Sequence, residues 1–225
     1  ENRLLGNNYK LKENNFHVDI NKLKKGNYLL QNFAMFIDIK KHKKPYKTLQ
    51  EMIAVYYEEL EDNKDVIRPV YSYEDIYACE KENKIAALLT IEDAGALEGS
   101  LMNLKTVYEQ GVRLITLTWN HINEVGFPNF KIEADTYGDI KEKPNFKIPN
   151  TEFGLTDFGV ELIREMERLG IIVDVSHLSD AGFYDVLKYS KKPFVASHSN
   201  ARSICNHVRN MDDEMIKLLA NKGGV

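Results

Sequence analysis

From residue 84 onward the chain alternates short apolar runs with amphipathic stretches. Residues 84–92 (KIAALLTIE) read as a strand, 97–110 as a helix stopped by Gly111, and 113–119 (RLITLTW) as the next strand. A polar segment with prolines at 128, 144 and 149 follows, and its composition predicts a loop. Residues 156–169 place Leu162, Met166 and Leu169 at helix spacing, with Gly170 as the stop. Residues 171–177 (IIVDVSH) read as a strand. Ser179 is positioned to cap a helix running to Ser190, and 193–198 (PFVASH) form the strand after it. Residues 211–221 are helical in pattern, and 223–225 open another strand. Upstream, 29–39 are apolar enough for a strand, while 49–60 and 73–82 follow a helical pattern.

Strands alternating with helices predict a parallel sheet covered by helices. His177 and His198 lie 21 residues apart with one helix between them, the length of a compact right-handed crossover. A (β/α)8 barrel closes with eight strands over about 250 residues. Five strands read clearly here and a sixth begins as the sequence stops. The expectation is therefore an α/β, TIM-like barrel in a single domain over residues 1–225, with its first and last strands outside the sequence. No repeat or domain boundary interrupts it, and residues 120–152 read as an insertion within the domain.

Composition narrows the function classes. The 225 residues suffice for one substantial core, and 43% hydrophobic with 28% charged residues describe an ordinary globular protein. A net charge of -4 gives no electrostatic case for nucleic acid, and Lys40, Lys41, Lys43 and Lys44 read as a solvated loop. Two cysteines, Cys79 and Cys205, are too few for a disulfide framework or a thiolate zinc site, so reduced thiols and a cytoplasmic location are expected. No apolar run approaches the roughly 18 residues of a membrane span. Residues 1–9 lack a signal-peptide pattern, although the sequence does not begin with Met.

The candidate chemistry sits at strand ends. Glu92, Trp119, His177 and His198 each close an apolar run, and in a parallel barrel those ends converge on the face where active sites are built. One carboxylate and two imidazoles suit zinc or a similar divalent ion, and two ions could share a hydroxide that is nucleophilic at neutral pH. Taken singly, each residue has a bland explanation: a hydrogen-bonded structural histidine, or a glutamate capping the next helix. By strand alternation Asp174 should face away from His177 and serve a structural role. No Gly-x-Ser-x-Gly elbow and no phosphate-cradling glycine motif is present.

Several segments resemble the membrane (renal) dipeptidase family of zinc metallopeptidases. They are GLTDFGVELIREMERLGIIVDVSHLSD (154–180), PFVASHSNARSICNHVRNMDDE (193–214), TIEDAG (90–95), YEQGVRLITLTWN (108–120) and HVDINKLKKGNYLLQNFAMF (17–36). The resemblance implies a barrel of the metal-dependent hydrolase type with two divalent ions, zinc in the family. It makes Glu92 the bridging ligand, places His177 and His198 on one ion, and gives Arg209 the substrate's terminal carboxylate. The implied reaction is hydrolysis of dipeptides, including those with a C-terminal D-residue, by a hydroxide shared between the ions. A small dipeptide is the implied partner, and a homodimer the assembly to test.

Three departures stand out. His17-Val18-Asp19 matches a later, non-ligand segment, so the family's first His-x-Asp pair should precede Glu1. The catalytic aspartate should lie beyond Val225. Trp119 occupies the position of the histidine that steadies the tetrahedral intermediate, leaving His121 as the nearest substitute. The rival readings are a related amidohydrolase acting on an N-acyl amino acid or other amide, and a catalytically silent barrel used for binding.

Overall fold

The computed structural model describes residue 4, residues 6–129 and residues 145–225. The expected loop at Pro144, and residues 130–144 of the 120–152 insertion, lie outside the described residues. Five strands form one parallel sheet: β1 (Leu30–Phe36), β2 (Ile67–Pro69), β3 (Ile85–Glu92), β4 (Val112–Thr116) and β5 (Ile172–Asp174). Before, between and after them run α1 (Ile20–Lys25), α2 (Pro45–Asp62), α3 (Tyr73–Lys81), α4 (Leu101–Glu109), α5 (Asp157–Leu169), α6 (Asp180–Tyr189) and α7 (Asp213–Asn221).

The strand order is β1-β3-β4-β5. β1 occupies one edge of β3 along residues 86–92, so β2 and β4 share the other edge, β2 at residues 85–87 and β4 at residues 89–92. A register shift between Leu89 and Thr90 interrupts the β3–β4 pairing, with Val112 opposite Leu89 and Leu114 opposite Thr90. Among the described residues the sheet continues beyond β5 as a pairing of Asp174 with Val195, and Ala196 N–H then donates to the Val225 carbonyl at 2.9 Å. The result is an open arc of a (β/α)8-type barrel. Most of β3 is buried on both faces, as expected where a parallel strand lies between a barrel interior and covering helices.

Apart from α2, which opens on Pro45 without a side-chain cap, the helices begin where side chains satisfy a first-turn N–H group. Ser72, Ser100, Thr156, Ser179 and Asp212 each accept a hydrogen bond from the backbone N–H three residues on, and Ser72 with Asp75 forms a full capping box. α5 ends at Gly170 in the left-handed conformation, as the sequence predicts.

Three expectations change. The strand expected over residues 193–198 is a single bridge at Val195, while β2, unforeseen, takes its place in the count of five. The helix expected over 97–110 is divided into a 3-10 turn at Ala94–Leu97 and α4, with Glu98 left-handed between them. The strands also end earlier than expected, so Trp119 and His177 each lie three residues beyond their strand, in the loop.

Candidate metal centre

The sheet register builds the floor of the site. Phe36, Glu92, Thr116, Asp174 and Val195 are successive cross-strand partners, so their side chains share one layer at the C-terminal end of the strands. Asp174 therefore shares the face of Glu92 rather than opposing the centre. The alternation argument failed because the chain leaves the strand after Asp174, and His177 adopts a left-handed φ of 72° that turns its side chain back inward. Asp174 is fully buried and accepts four hydrogen bonds: Thr116 Oγ1 (2.6 Å), Ser197 Oγ (2.6 Å), and the N–H groups of Ser176 and Ser197 (both 3.0 Å). Its role is structural, as expected. Its position is not.

Above that floor three side chains meet. His177 Nε2 lies 3.4 Å and His198 Nε2 3.6 Å from Glu92 Oε1, and the two Nε2 atoms are 3.0 Å apart. All three ligand-type atoms fall within 4.8 Å of one another. The opposite edge of each ring is held. Asn120 Oδ1 faces His177 Nδ1 at 2.9 Å and accepts its proton. Ser197 gives its one hydroxyl proton to Asp174, so at 2.7 Å it accepts from His198 Nδ1. In the neutral form each imidazole therefore carries its proton at Nδ1, and both Nε2 lone pairs point at each other and at a carboxylate oxygen. Three electron-pair donors converging without a proton between them repel unless a cation is present, so the donor set fits a divalent ion. Burial pushes the His177 pKa down, which favours the neutral, ligating form.

The surroundings fix the centre's edges. Trp119 packs edge-on against Phe36 (ring centroids 4.7 Å apart) and lies 6.3 Å from the His177 ring. His121 turns away: its Nε2 sits 3.4 Å from Asp38 Oδ1, and its ring packs against Trp119 at 5.4 Å. Asp93, beside Glu92, has a φ of 82°; its Oδ1 accepts from Gly95 N–H and from Asn123 Nδ2. That fixes the turn leaving β3, and burial pushes its carboxyl up to about 7.

Arg209 lies beside His198, its Nη2 3.5 Å from the His198 carbonyl. Burial pushes Arg209 down to about 10, with Asp174 and Glu92 acting in the opposite direction, so it stays charged at neutral pH. The structure thus brings Glu92, His177, His198, Trp119 and Arg209 to one end of the sheet. Sequence reasoning missed Asn120 and Ser197 as holders of the imidazoles; their only signal was adjacency to Trp119 and His198.

Comparison with known proteins agrees over the whole chain. The family model Membrane dipeptidase (Peptidase family M19) matches residues 2–225. A Klebsiella pneumoniae protein, "Uncharacterized protein in pqqA 5'region", is 30% identical over 80% of this chain and 62% of its own length. "Dipeptidase 3" of Mus musculus is 35% identical over 63% of this chain, which spans 26% of that protein. Among solved structures, a metallo peptidase from Rhodobacter sphaeroides, liganded with a phosphinate mimic of the dipeptide L-Ala-D-Ala, superposes with a TM-score of 0.82 at 20% identity. That superposition covers 100% of this chain and 69% of the other, and it supports the fold. With the family match spanning nearly every residue and the layered site at its centre, the chain belongs to the membrane dipeptidase family, peptidase family M19.

Proposed function

We propose that the protein is a metal-dependent dipeptidase whose centre is held by Glu92, His177 and His198. The observation that carries this reading is the convergence of two Nε2 lone pairs and a carboxylate oxygen on one point, with both Nδ1 protons already committed. A pair of divalent ions, zinc by the chemistry of the donors, would supply a nucleophilic water and polarise the scissile carbonyl.

The chain's own residues do the rest. Glu92, with two oxygens at the end of β3, is the side chain able to bridge two ions, whereas each imidazole serves one. Arg209, charged and with one long side-chain hydrogen bond among the described residues, presents a planar fork to the terminal carboxylate of a bound dipeptide. A carboxylate gripped there sets the substrate's length, which favours dipeptides over longer peptides. Trp119 and Phe36 form an aromatic wall beside His177, excluding water from that flank. The Klebsiella and mouse relatives are both longer than the stretch matched here, so the activity belongs to the full-length protein.

One observation favours a second reading, a related amidohydrolase acting on an N-acyl amino acid. Trp119 offers only a neutral indole N–H where the family resemblance places a histidine. The test is metal content and turnover of the full-length protein on L-Ala-L-Ala, L-Ala-D-Ala and an N-acyl alanine. Bound divalent ions are expected, with dipeptide hydrolysis reduced at least about a hundredfold in Glu92→Gln and His198→Ala. Preferred turnover of the acylated amino acid would install the second reading, and a metal-free, inactive protein would sink both.

A further inference from the structure

The carbonyls on either side of Arg209 in the chain are both clamped, and both clamps rest on one carboxylate. On one side, Asn129 Nδ2 donates to the Val208 carbonyl at 2.6 Å and to Asp180 Oδ1 at 2.7 Å. On the other, Arg202 Nε donates to the Asn210 carbonyl at 2.9 Å. The two terminal nitrogens of Arg202 grip Asp180 as a fork, Nη1 to Oδ2 at 2.8 Å and Nη2 to Oδ1 at 2.7 Å. Asp180 is 4% exposed and Asn129 3%. The carboxylate opens α6, where the helix dipole favours negative charge. Asn129 also ties the clamp to the metal centre, because its backbone N–H donates to the His177 carbonyl at 2.9 Å.

Arg209 itself is held by almost nothing. Among the described residues its guanidinium has one long contact, 3.5 Å to the His198 carbonyl. Its aim is therefore set by the main chain that carries it; the carbonyls on both sides are held by the Asp180 network, beside a 3.1 Å hydrogen bond from the Arg209 N–H to His207 Nδ1. We propose that Asp180, acting through Arg202 and Asn129, is the positioning residue for Arg209 and so governs affinity for the carboxylate end of the substrate. The proposal rests on the reading of Arg209 given above. A buried fork of this kind could otherwise serve only to fold the loop, in which case stability would depend on it and substrate selection would not.

The experiment is steady-state kinetics of the full-length protein on a dipeptide and on the same dipeptide with its terminus amidated. Asp180→Asn and the milder Arg202→Lys are assayed alone and combined with Arg209→Ala, with melting temperature recorded for each. Asp180→Asn is expected to raise KM for the free dipeptide about tenfold or more, leaving kcat within about twofold and the amide's kinetics unchanged. In the Arg209→Ala background the same change is expected to add less than about twofold. If Asp180→Asn fails to fold, Arg202→Lys carries the test with the same pattern at smaller amplitude. A lowered melting temperature with unchanged KM, or effects that simply add to those of Arg209→Ala, would overturn the positioning role. If Arg209→Ala leaves KM for the free dipeptide unchanged, the reading of Arg209 falls and the positioning role falls with it.

Discussion

Asn120 and Ser197 each hold one imidazole by its Nδ1, and that contact decides which nitrogen faces the metal centre. Replacing either with Ala frees a ring to rotate or change tautomer without removing a ligand. Both variants are expected to weaken metal affinity by about 10–100-fold, read by competition with a chelating dye. Unchanged affinity would mean that packing alone orients the rings. The three proposed ligands were legible in the sequence, because Glu92 and the two histidines stand out at the ends of apolar runs. Their holders were not legible: an Asn or Ser beside a functional residue is commonplace, and only distance gives it meaning. Asp174 shows the opposite failure. Its chemistry was read correctly but its direction was not, since a period of two holds only while the chain remains a strand.

Helix α5 sets two element-level preferences against each other. Gly159 lies in its first turn, where Ala would ordinarily stabilise by up to about 1 kcal/mol. A Cβ at that position would sit 2.1 Å from the Val125 carbonyl oxygen, which already accepts hydrogen bonds from Thr156. The obstruction is backbone and cannot swing aside, so Gly159→Ala is expected to destabilise by about 1–3 kcal/mol despite its better helix propensity. A melting temperature equal to or above that of the native protein would show that the loop yields. Caps and periodicity made α5, α6 and α7 readable to within two residues. The short strands escaped: Ile67–Pro69 is three residues long, too brief for any pattern, and its place comes from pairing with β3. The run at 193–198 looked more like a strand than it is, because its apolar character reflects burial of Phe194 rather than a full ladder.

Across the whole molecule the two ends of the sheet have different work. The metal centre lies at the C-terminal ends of the strands, while Arg113, near the start of β4, ties down the other end. Its guanidinium donates to the carbonyls of Tyr71, Tyr108 and Val112 and lies over the Tyr108 ring at 4.2 Å. Arg113→Met is expected to lower stability by about 1–3 kcal/mol and leave kcat/KM for dipeptides unchanged, checked by denaturant melts beside kinetics. A kinetic defect with native stability would contradict that division. The barrel class was legible from strand–helix alternation, whereas the shared edge of β3 was not, being a matter of pairing between distant segments. The left-handed backbone at His177 belongs to this scale too. Asn27 and Asn83 also have positive φ, and histidine, like asparagine, visits that region more often than most residues, yet φ of 72° still costs an imidazole more than it would a glycine. A library selected only for heat resistance, or a redesign scored only on folding, would drift toward glycine at that position and discard a proposed ligand while appearing to improve the protein. Any stabilisation campaign on this chain has to hold position 177 fixed, or screen for turnover alongside melting.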